Sequence, residues 1–239
     1  MRAKGVAILV IPMLLAFLLT PSFASVVYAG TTTDLTVANG ATVCPLTLGG
    51  VWEPGDNCLL SASYTVNSGD TLIVDTGVSL EIASGGTLNV AGTLNIIQLL
   101  VIFGGGVVNV SSGGVINNGN GIDVYGVLNN HGTINNNTSA IYIGLYGGFT
   151  GVLNNYGVIN QNSVGGFAKI TITSGGVLNN ECGGVISNPS PGVIDGTVTT
   201  ISCSSVPEFP LGFAVLFAVM VPAMLLLRNI RIRKPAVSV

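Results

Sequence analysis

A short motif that recurs at a nearly regular period constrains the fold of this 239-residue chain more than any other feature. Each copy reads glycine, threonine or valine, leucine or valine, asparagine, and then valine or asparagine. Five copies begin at Gly86, Gly106, Gly126, Gly151 and Gly176, so the interval is constant over the first three copies and slightly longer afterwards. A period of this length is typical of repeat proteins, in which each unit packs against its neighbours. The chain is therefore expected to be a solenoid.

Two further segments complete each period. A shorter copy of the motif begins at Gly92, Gly114, Gly132, Gly157 and Gly184, and most periods close with an apolar stretch: Leu99–Phe103, Ile122–Tyr125, Ile141–Tyr146, Ala168–Thr173 and Val198–Ile201. Short β-branched runs between glycine and asparagine favour strands over helices. Three strands per period predict an all-β fold, a parallel β-helix (β-solenoid) in which each coil takes about 20–25 residues.

The predicted solenoid forms an ectodomain over residues 30–201. Coils stacked about 4.8 Å apart would align their leucines and isoleucines into one core. The less regular segment from Tyr64 to Ile82 is expected to supply the first coils, and the span from Asp34 to Ile201 predicts about six to eight coils. A right-handed solenoid is favoured, because left-handed hexapeptide coils run near about 18 residues without long excursions.

Five asparagines, Asn89, Asn109, Asn129, Asn154 and Asn179, occupy the same place in successive copies of the motif. Stacked side-chain amides can hydrogen-bond along the axis of a β-stack. We therefore predict a structural asparagine ladder, with a ligand-binding row as the alternative.

Charge is distributed unevenly along the chain. Two basic residues lie near the N-terminus and four near the C-terminus, and between Gly30 and Pro210 one lysine faces ten carboxylates, for a net charge of −9. Nucleic-acid binding depends on clustered lysine and arginine. Nucleic acid is therefore not an expected partner.

Residues 1–29 have the parts of a secretory signal peptide. Arg2 and Lys4 precede an apolar run from Val6 to Leu19, and small residues lead to a cleavage site after Ala29. Cleavage after Ala24 is an alternative, and so is an uncleaved N-terminal anchor, for which the apolar run is short.

The C-terminal end reads as a membrane anchor. An apolar stretch from Leu211 to Leu227 is followed by four basic residues, Arg228, Arg231, Arg233 and Lys234. We predict a linker at 202–210, a transmembrane helix at 211–230 and a basic cytoplasmic tail at 231–239. The positive-inside rule then places the solenoid outside the cell, membrane-anchored at the cell surface.

The linker ends, just before this helix, with a short motif that contains Pro207, Glu208 and Phe209. A short motif, an apolar helix and a basic tail in this order resemble the PEF-CTERM sorting signals of archaeal surface proteins, over about 30 residues. The resemblance implies an archaeal source and a sorting protease, an archaeosortase, that cuts near the motif and moves the protein to a lipid anchor. A retained helix is the alternative. The repeats also resemble those of bacterial and archaeal surface adhesins.

Four cysteines in an exported chain suggest two disulfides, although three connectivities are open. Local pairing of Cys44 with Cys58 and of Cys182 with Cys203 would staple the two ends of the solenoid. The members of each couple are too far apart in the sequence for the close spacing of zinc ligands, so no metal site is predicted.

The sequence offers few residues that could act as catalytic groups. The regular coils contain only four charged residues, Asp123, Lys169, Glu181 and Asp195, and Asp123 and Lys169 belong to coils two apart. The single histidine, His131, takes an exposed turn position. A polysaccharide lyase or hydrolase needs clustered carboxylates and a cationic group. We therefore predict neither catalytic residues nor a cofactor.

Aromatic residues gather in the two longer coils and include Tyr125, Tyr142, Tyr146 and Tyr156, with Phe149 and Phe167 nearby. They either stack on surface glycans or cover the core. Glycosylation sequons at Asn136 and Asn137 are expected in a loop, whereas the sequon at Asn109 would be blocked within an internal ladder.

These features together predict an exported, surface-anchored structural or adhesive repeat protein without enzymatic activity. Its expected partners are the membrane, surface glycans or other envelope proteins. The alternative is a carbohydrate-active β-helix enzyme.

Overall fold

The chain folds into a parallel β-solenoid of about six turns, in a computed structural model that describes residues 29–162, 168–187 and 194–201. Three sheets surround a common axis, and nearly every coil adds one strand to each. Strands pair in parallel with the equivalent strands of the coils before and after. The predicted β-solenoid, with three strands per coil, is confirmed.

The first sheet contains β1 (Thr32–Leu35), β5 (Thr71–Val74), β8 (Thr93–Ile96), β11 (Val115–Asn118), β14 (Thr133–Asn136), β19 (Val158–Gln161) and β22 (Val185–Ser187). The second contains β2 (Val51–Glu53), β3 (Asn57–Leu60), β6 (Ser79–Ile82), β9 (Leu99–Ile102), β12 (Gly121–Val124), β15 (Ala140–Ile143), β20 (Lys169–Ile172) and β23 (Ile194–Asp195). The third contains β4 (Ser63–Val66), β7 (Thr87–Val90), β10 (Val107–Val110), β13 (Val127–Asn130), β18 (Val152–Asn155), β21 (Val177–Asn180) and β24 (Val198–Thr200). Outside these sheets lie α1 (Gly40–Leu46) and a hairpin of β16 (Leu145–Tyr146) and β17 (Phe149–Thr150).

The core is formed by two of the four residues in each strand. Side chains alternate across a strand, so the second and fourth residues point inward. From β7 to β21 of the third sheet the second residues are Leu88, Val108, Leu128, Leu153 and Leu178, which align in register and are fully buried. Burying each such side chain contributes about 1.5–3 kcal/mol, and the row shares that burial along the axis.

The N-terminal end of the solenoid is closed by an insertion in the first coil. The helix α1 and strand β2 lie between β1 and β3, and β2 pairs antiparallel with β3. Cys44 in α1 and Cys58 in β3 form a buried disulfide with their Cα atoms 5.6 Å apart, as predicted for this pair. Closing a loop of this length stabilises a fold by about 3 kcal/mol. The first strand begins at Thr32, before the segment from Tyr64 that is predicted to supply the first coils. The insertion interrupts the repeat in this coil, so the coil has no regular period in the sequence.

The predicted asparagine ladder exists, but it lies on the outer face of the third sheet. Each asparagine donates from Nδ2 to Oδ1 of its neighbour in the preceding coil: Asn109 to Asn89 and Asn129 to Asn109 at 3.0 Å, Asn154 to Asn129 at 2.9 Å and Asn179 to Asn154 at 2.8 Å. A second outward ladder joins Asn95, Asn117, Asn135 and Asn160 on the first sheet. Asparagine is the third residue of these strands, so strand alternation turns it outward.

Two further ladders are buried, where the fourth residue of a strand is also polar. Asn118 donates to Asn136, which donates to Gln161, each at 2.7 Å. On the third sheet Asn130 donates to Asn155 and Asn155 to Asn180, each at 2.8 Å. In these buried ladders each amide donates to the following coil, whereas in the outward ladders each amide donates to the preceding coil. The Oδ1 of Asn118 has no partner in the described part of the chain, because the residue aligned with it in the preceding coil is Ile96.

The glycine that precedes each motif strand of the first and third sheets is required by the close approach of neighbouring coils. A Cβ atom built at Gly106 would lie 2.4 Å from the carbonyl oxygen of Ile82, and one at Gly151 would lie 1.9 Å from that of Val124. Real Cβ atoms do not approach carbonyl oxygens so closely. The glycine that opens the sequence motif is therefore a packing requirement of the stack.

The predicted terminal segments fall almost wholly outside the described residues. These are the signal peptide at 1–29, the linker with Pro207, Glu208 and Phe209, the transmembrane helix and the basic tail. The part of the chain that the structure describes includes no helix with the length and hydropathy needed to cross a membrane.

Replacing Gly126 by alanine should destabilise the solenoid by about 1–3 kcal/mol, the usual cost of overpacking. The new Cβ would lie 2.4 Å from the carbonyl oxygens of Gly106 and Phe103. Gly113→Ala is the matched control, because nothing lies within 4 Å of a Cβ there. Its stability should be unchanged or slightly higher, since alanine restricts the unfolded chain. Urea unfolding followed by circular dichroism measures both; equal effects of the two changes would contradict the close-approach argument.

Candidate functional site

The outer face of the second sheet differs from the other two faces because it carries most of the charge. Its outward row runs through Leu59, Glu81, Val101, Asp123, Tyr142, Thr171 and Asp195 in register from coil to coil. By contrast, the strands of the third sheet contain no charged residue, and those of the first contain only Asp34 among the residues described. The charged side chains of the described strands are therefore concentrated on one face of the solenoid.

An aromatic hairpin folds over this face. The strands β16 and β17 pair antiparallel between β15 and β18, in one of the longer periods of the repeat. Tyr146 lies 5.0 Å from Tyr125 and 6.0 Å from Phe103, measured between ring centroids. Phe103 belongs to the coil two before the hairpin, so the hairpin reaches back toward the N-terminal end.

Phe149 completes the hairpin's contact with the earlier coil. A Cβ atom built at Gly104 would lie 1.9 Å from Cγ of Phe149, so the phenyl ring rests on the glycine backbone. A larger residue at position 104 would displace the ring. Tyr146 and Phe149 remain 58% and 53% exposed, so their outer faces are open to a ligand.

The hairpin and the earlier coils enclose a groove of about 450 Å³, a volume within the range of ligand-binding sites. We call it the hairpin groove. Its lining residues are Glu53, Leu59, Glu81, Ala83, Ser84, Phe103, Gly104, Tyr146, Gly147 and Phe149. It therefore combines three aromatic rings with two carboxylates and contains no basic side chain.

The carboxylates of this face lie in unfavourable surroundings. Burial, and then repulsion from Glu53, raise the pKa of Glu81. Burial likewise raises the pKa of Asp123, against a smaller opposing effect of the Tyr125 hydroxyl, which donates a 3.5 Å hydrogen bond to Oδ2 of Asp123. A desolvated carboxylate beside a second carboxylate disfavours its charged form. Asp123 is thus half-buried beside aromatic rings and does not project freely into solvent.

Three of the four tyrosines predicted from the sequence come together. Tyr125 contacts Tyr142 at 6.3 Å and Tyr146 at 5.0 Å between centroids. Tyr156 lies elsewhere, in the turn between the third and first sheets, where its ring stacks on His131 at 4.4 Å. His131 is exposed in a turn, as predicted. Phe167 lies outside the described residues.

The groove also contains residues that the motif analysis missed. Glu53 and Glu81 come from the early, less regular coils, and Phe103 directly follows β9, at the end of an apolar stretch that closes one period. One signal was available: Glu81 is aligned two periods before Asp123, at the same place in the third segment of the repeat. Glu53 had no such signal, because β2 belongs to the insertion and pairs antiparallel.

Asp123 and Lys169 do not form a pair. They lie two strands apart on the second sheet, and Lys169 aligns with Gly121, two residues before Asp123. In the described part of the chain no group of three or more histidine, cysteine, aspartate or glutamate residues could hold a metal ion.

The sequon asparagines have different surroundings. Asn136 is the last residue of β14 and is fully buried in a ladder, so the expectation that it lies in a loop is wrong. Asn137 does follow the strand, and its Oδ1 accepts a hydrogen bond from Asn162. Asn109 is in the outward ladder, where Nδ2 bonds to Asn89. Cys182 is disulfide-bonded, and Cys203 lies outside the described residues.

Replacing Glu81 by glutamine should raise the thermal midpoint near neutral pH. A carboxyl group whose pKa is raised on folding binds protons preferentially in the folded state, so the stability it supports at low pH is lost as pH rises through the folded pKa. The difference in thermal midpoint between variant and parent should vanish when the pH is well below the ordinary pKa of glutamate, because position 81 is then uncharged in both proteins. Differential scanning calorimetry across pH measures it.

Asp70→Asn provides the opposite control. The backbone N–H and hydroxyl of Thr31 and the amide of Asn67 donate to the carboxylate of Asp70, which lowers its pKa. Its contribution to stability is present above the unfolded pKa and lost as pH falls, so this change should lower the midpoint near neutral pH. A lowered midpoint for both variants would contradict the assignment for Glu81.

No protein-family model matches the chain, and comparisons with curated proteins and with solved structures found no significant similarity.

Proposed function

We propose that this chain is an exported, surface-anchored structural and adhesive protein whose solenoid presents the hairpin groove to glycans. The observation that carries the proposal is the combination of exposed aromatic rings with carboxylates in one concave site. Ring faces stack on the apolar faces of sugars, and carboxylates accept hydrogen bonds from sugar hydroxyls. Few polar groups among apolar walls are typical of a ligand site.

The rest of the solenoid suits a structural role. Its first and third sheets present outward ladders of uncharged asparagine between threonine and valine, and its N-terminal edge is covered by α1. Covering an edge prevents uncontrolled strand addition, which otherwise leads to aggregation. The division into two faces with at most one charged strand residue among those described and one charged, aromatic face supports a spacer that displays a binding site.

Export and anchoring rest on the terminal sequences. The signal peptide at 1–29, the Pro207-Glu208-Phe209 motif and the apolar segment with its basic tail support secretion and an archaeosortase-processed anchor at the cell surface. The acidic net charge between these segments is compatible with an exposed ectodomain that repels nucleic acid.

The intact mass of the protein extracted from its native membranes tests this part of the proposal. We expect loss of residues 1–29 and a C-terminus near Pro207 with an added lipid. A mass that retains residues 211–239 would instead establish a single-span membrane protein. A mass that also retains residues 1–29 would contradict signal-peptide cleavage.

Binding to a glycan array tests the adhesive role. Tyr146→Ala should weaken binding of the full chain about tenfold, equivalent to about 1.4 kcal/mol, because it removes an exposed ring of the groove. Tyr156→Ala is the matched control, since Tyr156 is 40% exposed but lies outside the groove. Retained binding in Tyr146→Ala, or equal losses in both variants, would contradict binding in the groove.

A carbohydrate-active enzyme remains the second candidate, and one observation favours it. Glu81 and Asp123 both have raised pKa values and lie two strands apart in one row, about 10 Å between backbones. Inverting glycoside hydrolases place their carboxyl groups about 6.5–9.5 Å apart. The same glycans should therefore be assayed for new reducing ends: cleavage that is lost in Asp123→Ala would favour the enzyme, and intact glycans favour an adhesin.

A further inference from the structure

The hairpin groove lacks a positive charge to balance its two carboxylates. Among the described residues Lys169 is the only lysine or arginine, and it lies on the same face, four strands from β6. Four strand spacings correspond to about 19 Å, beyond the reach of its side chain. Glu53 and Glu81 are therefore left to be neutralised by solvent ions or by a ligand.

The state of Glu81 restricts which ligand fits. Its carboxylate is partly desolvated and repelled by Glu53. A uronic acid or sulfated sugar would add a third negative charge to this site. A neutral sugar would displace water and leave the repulsion uncompensated. A cationic group between the carboxylates would compensate the repulsion between Glu53 and Glu81 and would stabilise the charged form of Glu81 in its partly desolvated position.

The aromatic walls favour the same kind of ligand. Phe103, Tyr146 and Phe149 line the groove beside the carboxylates. The face of an aromatic ring attracts ammonium groups within about 6 Å of its centroid. Rings and carboxylates in one groove thus form a site for an organic cation.

We infer that the hairpin groove binds glycans through amino sugars that carry a free ammonium group. The ammonium lies between Glu53 and Glu81, and the sugar ring stacks on Tyr146 and Phe149. The inference rests on the proposed function and specifies its glycan class.

The dimensions of the site favour an amino sugar over a basic segment of a partner protein. The groove encloses about 450 Å³, and the exposed apolar side chains that line it are those of Tyr146 and Phe149. Stable protein interfaces bury about 800 Å² on each partner around an apolar centre. Two rings provide only a small part of such a centre, whereas they match the size of one or two sugar rings.

Isothermal titration of the full chain with three matched oligosaccharides tests the inference. The probes are β-1,4-linked oligomers of glucosamine, of N-acetylglucosamine and of glucose, which differ only in the substituent at carbon 2. We expect the glucosamine oligomer to bind at least tenfold more tightly than the other two. Added salt should weaken that binding, because the interaction is largely between charges.

Two variants locate the effect. Glu81→Gln keeps the size of the side chain and should reduce glucosamine binding about tenfold while leaving N-acetylglucosamine binding nearly unchanged. Asp75→Asn removes the same charge outside the groove and serves as the control. Equal losses in the two variants would mean that net charge alone attracts the oligomer, and would overturn the inference.

The remaining outcomes separate this inference from the proposed function. Equal binding of all three oligomers, lost in Tyr146→Ala, would preserve the glycan-binding proposal and overturn the preference for an ammonium group. Binding of a lysine-rich peptide without binding of any oligomer would identify a basic protein partner and overturn both. Failure of every probe, on a chain whose unfolding transition is intact, would also overturn both.

Discussion

The close stacking of one coil on the next is the interaction on which the rest of this structure depends. Backbone N–H groups at the strand starts donate to glycine carbonyls one coil earlier, as from Val127 to Gly106 at 3.0 Å and from Val152 to Gly126 at 2.8 Å. A side chain at these glycines would keep the carbonyls out of reach. The same spacing brings the inner leucines into rows and places asparagine amides within hydrogen-bond distance, so one backbone constraint supports the core and the ladders together.

Stacking of this kind leaves the outer faces free to diverge in composition. Two faces repeat threonine, valine and asparagine, and their asparagine amides hydrogen-bond to one another along the axis. The second sheet departs from that pattern, since Glu81 and Asp123 occupy the positions where the other sheets place asparagine. These carboxylates have no ladder partner and are partly desolvated by aromatic neighbours, a local departure from an otherwise consistent stack. Such departures are where function is expected, because their cost is borne by the surrounding scaffold.

The hairpin groove depends on an insertion that the stack tolerates. The segment between β15 and β18 leaves the solenoid, pairs with itself and returns in register, because Val152 still aligns with Val127. Its aromatic residues then cover glycine backbone at Gly104, two coils away. An exposed excursion on a rigid scaffold is a common way to place binding residues without changing the core.

Sequence alone determined the solenoid, because the repeated motif places apolar, glycine and asparagine residues at a regular period that only stacked strands satisfy. It also predicted that His131 lies in an exposed turn, and it favoured local pairing of Cys44 with Cys58 among three possible connectivities, which the structure then selected. The tertiary structure decided which side of each strand faces the core, and so placed the asparagine ladder outside and buried Asn136. It also decided which distant residues meet: Glu53 pairs through an antiparallel strand that has no repeat, and Tyr146 reaches a coil some forty residues earlier, at Phe103. Periodicity specifies neighbours within the stack, whereas insertions make contacts that follow from no period.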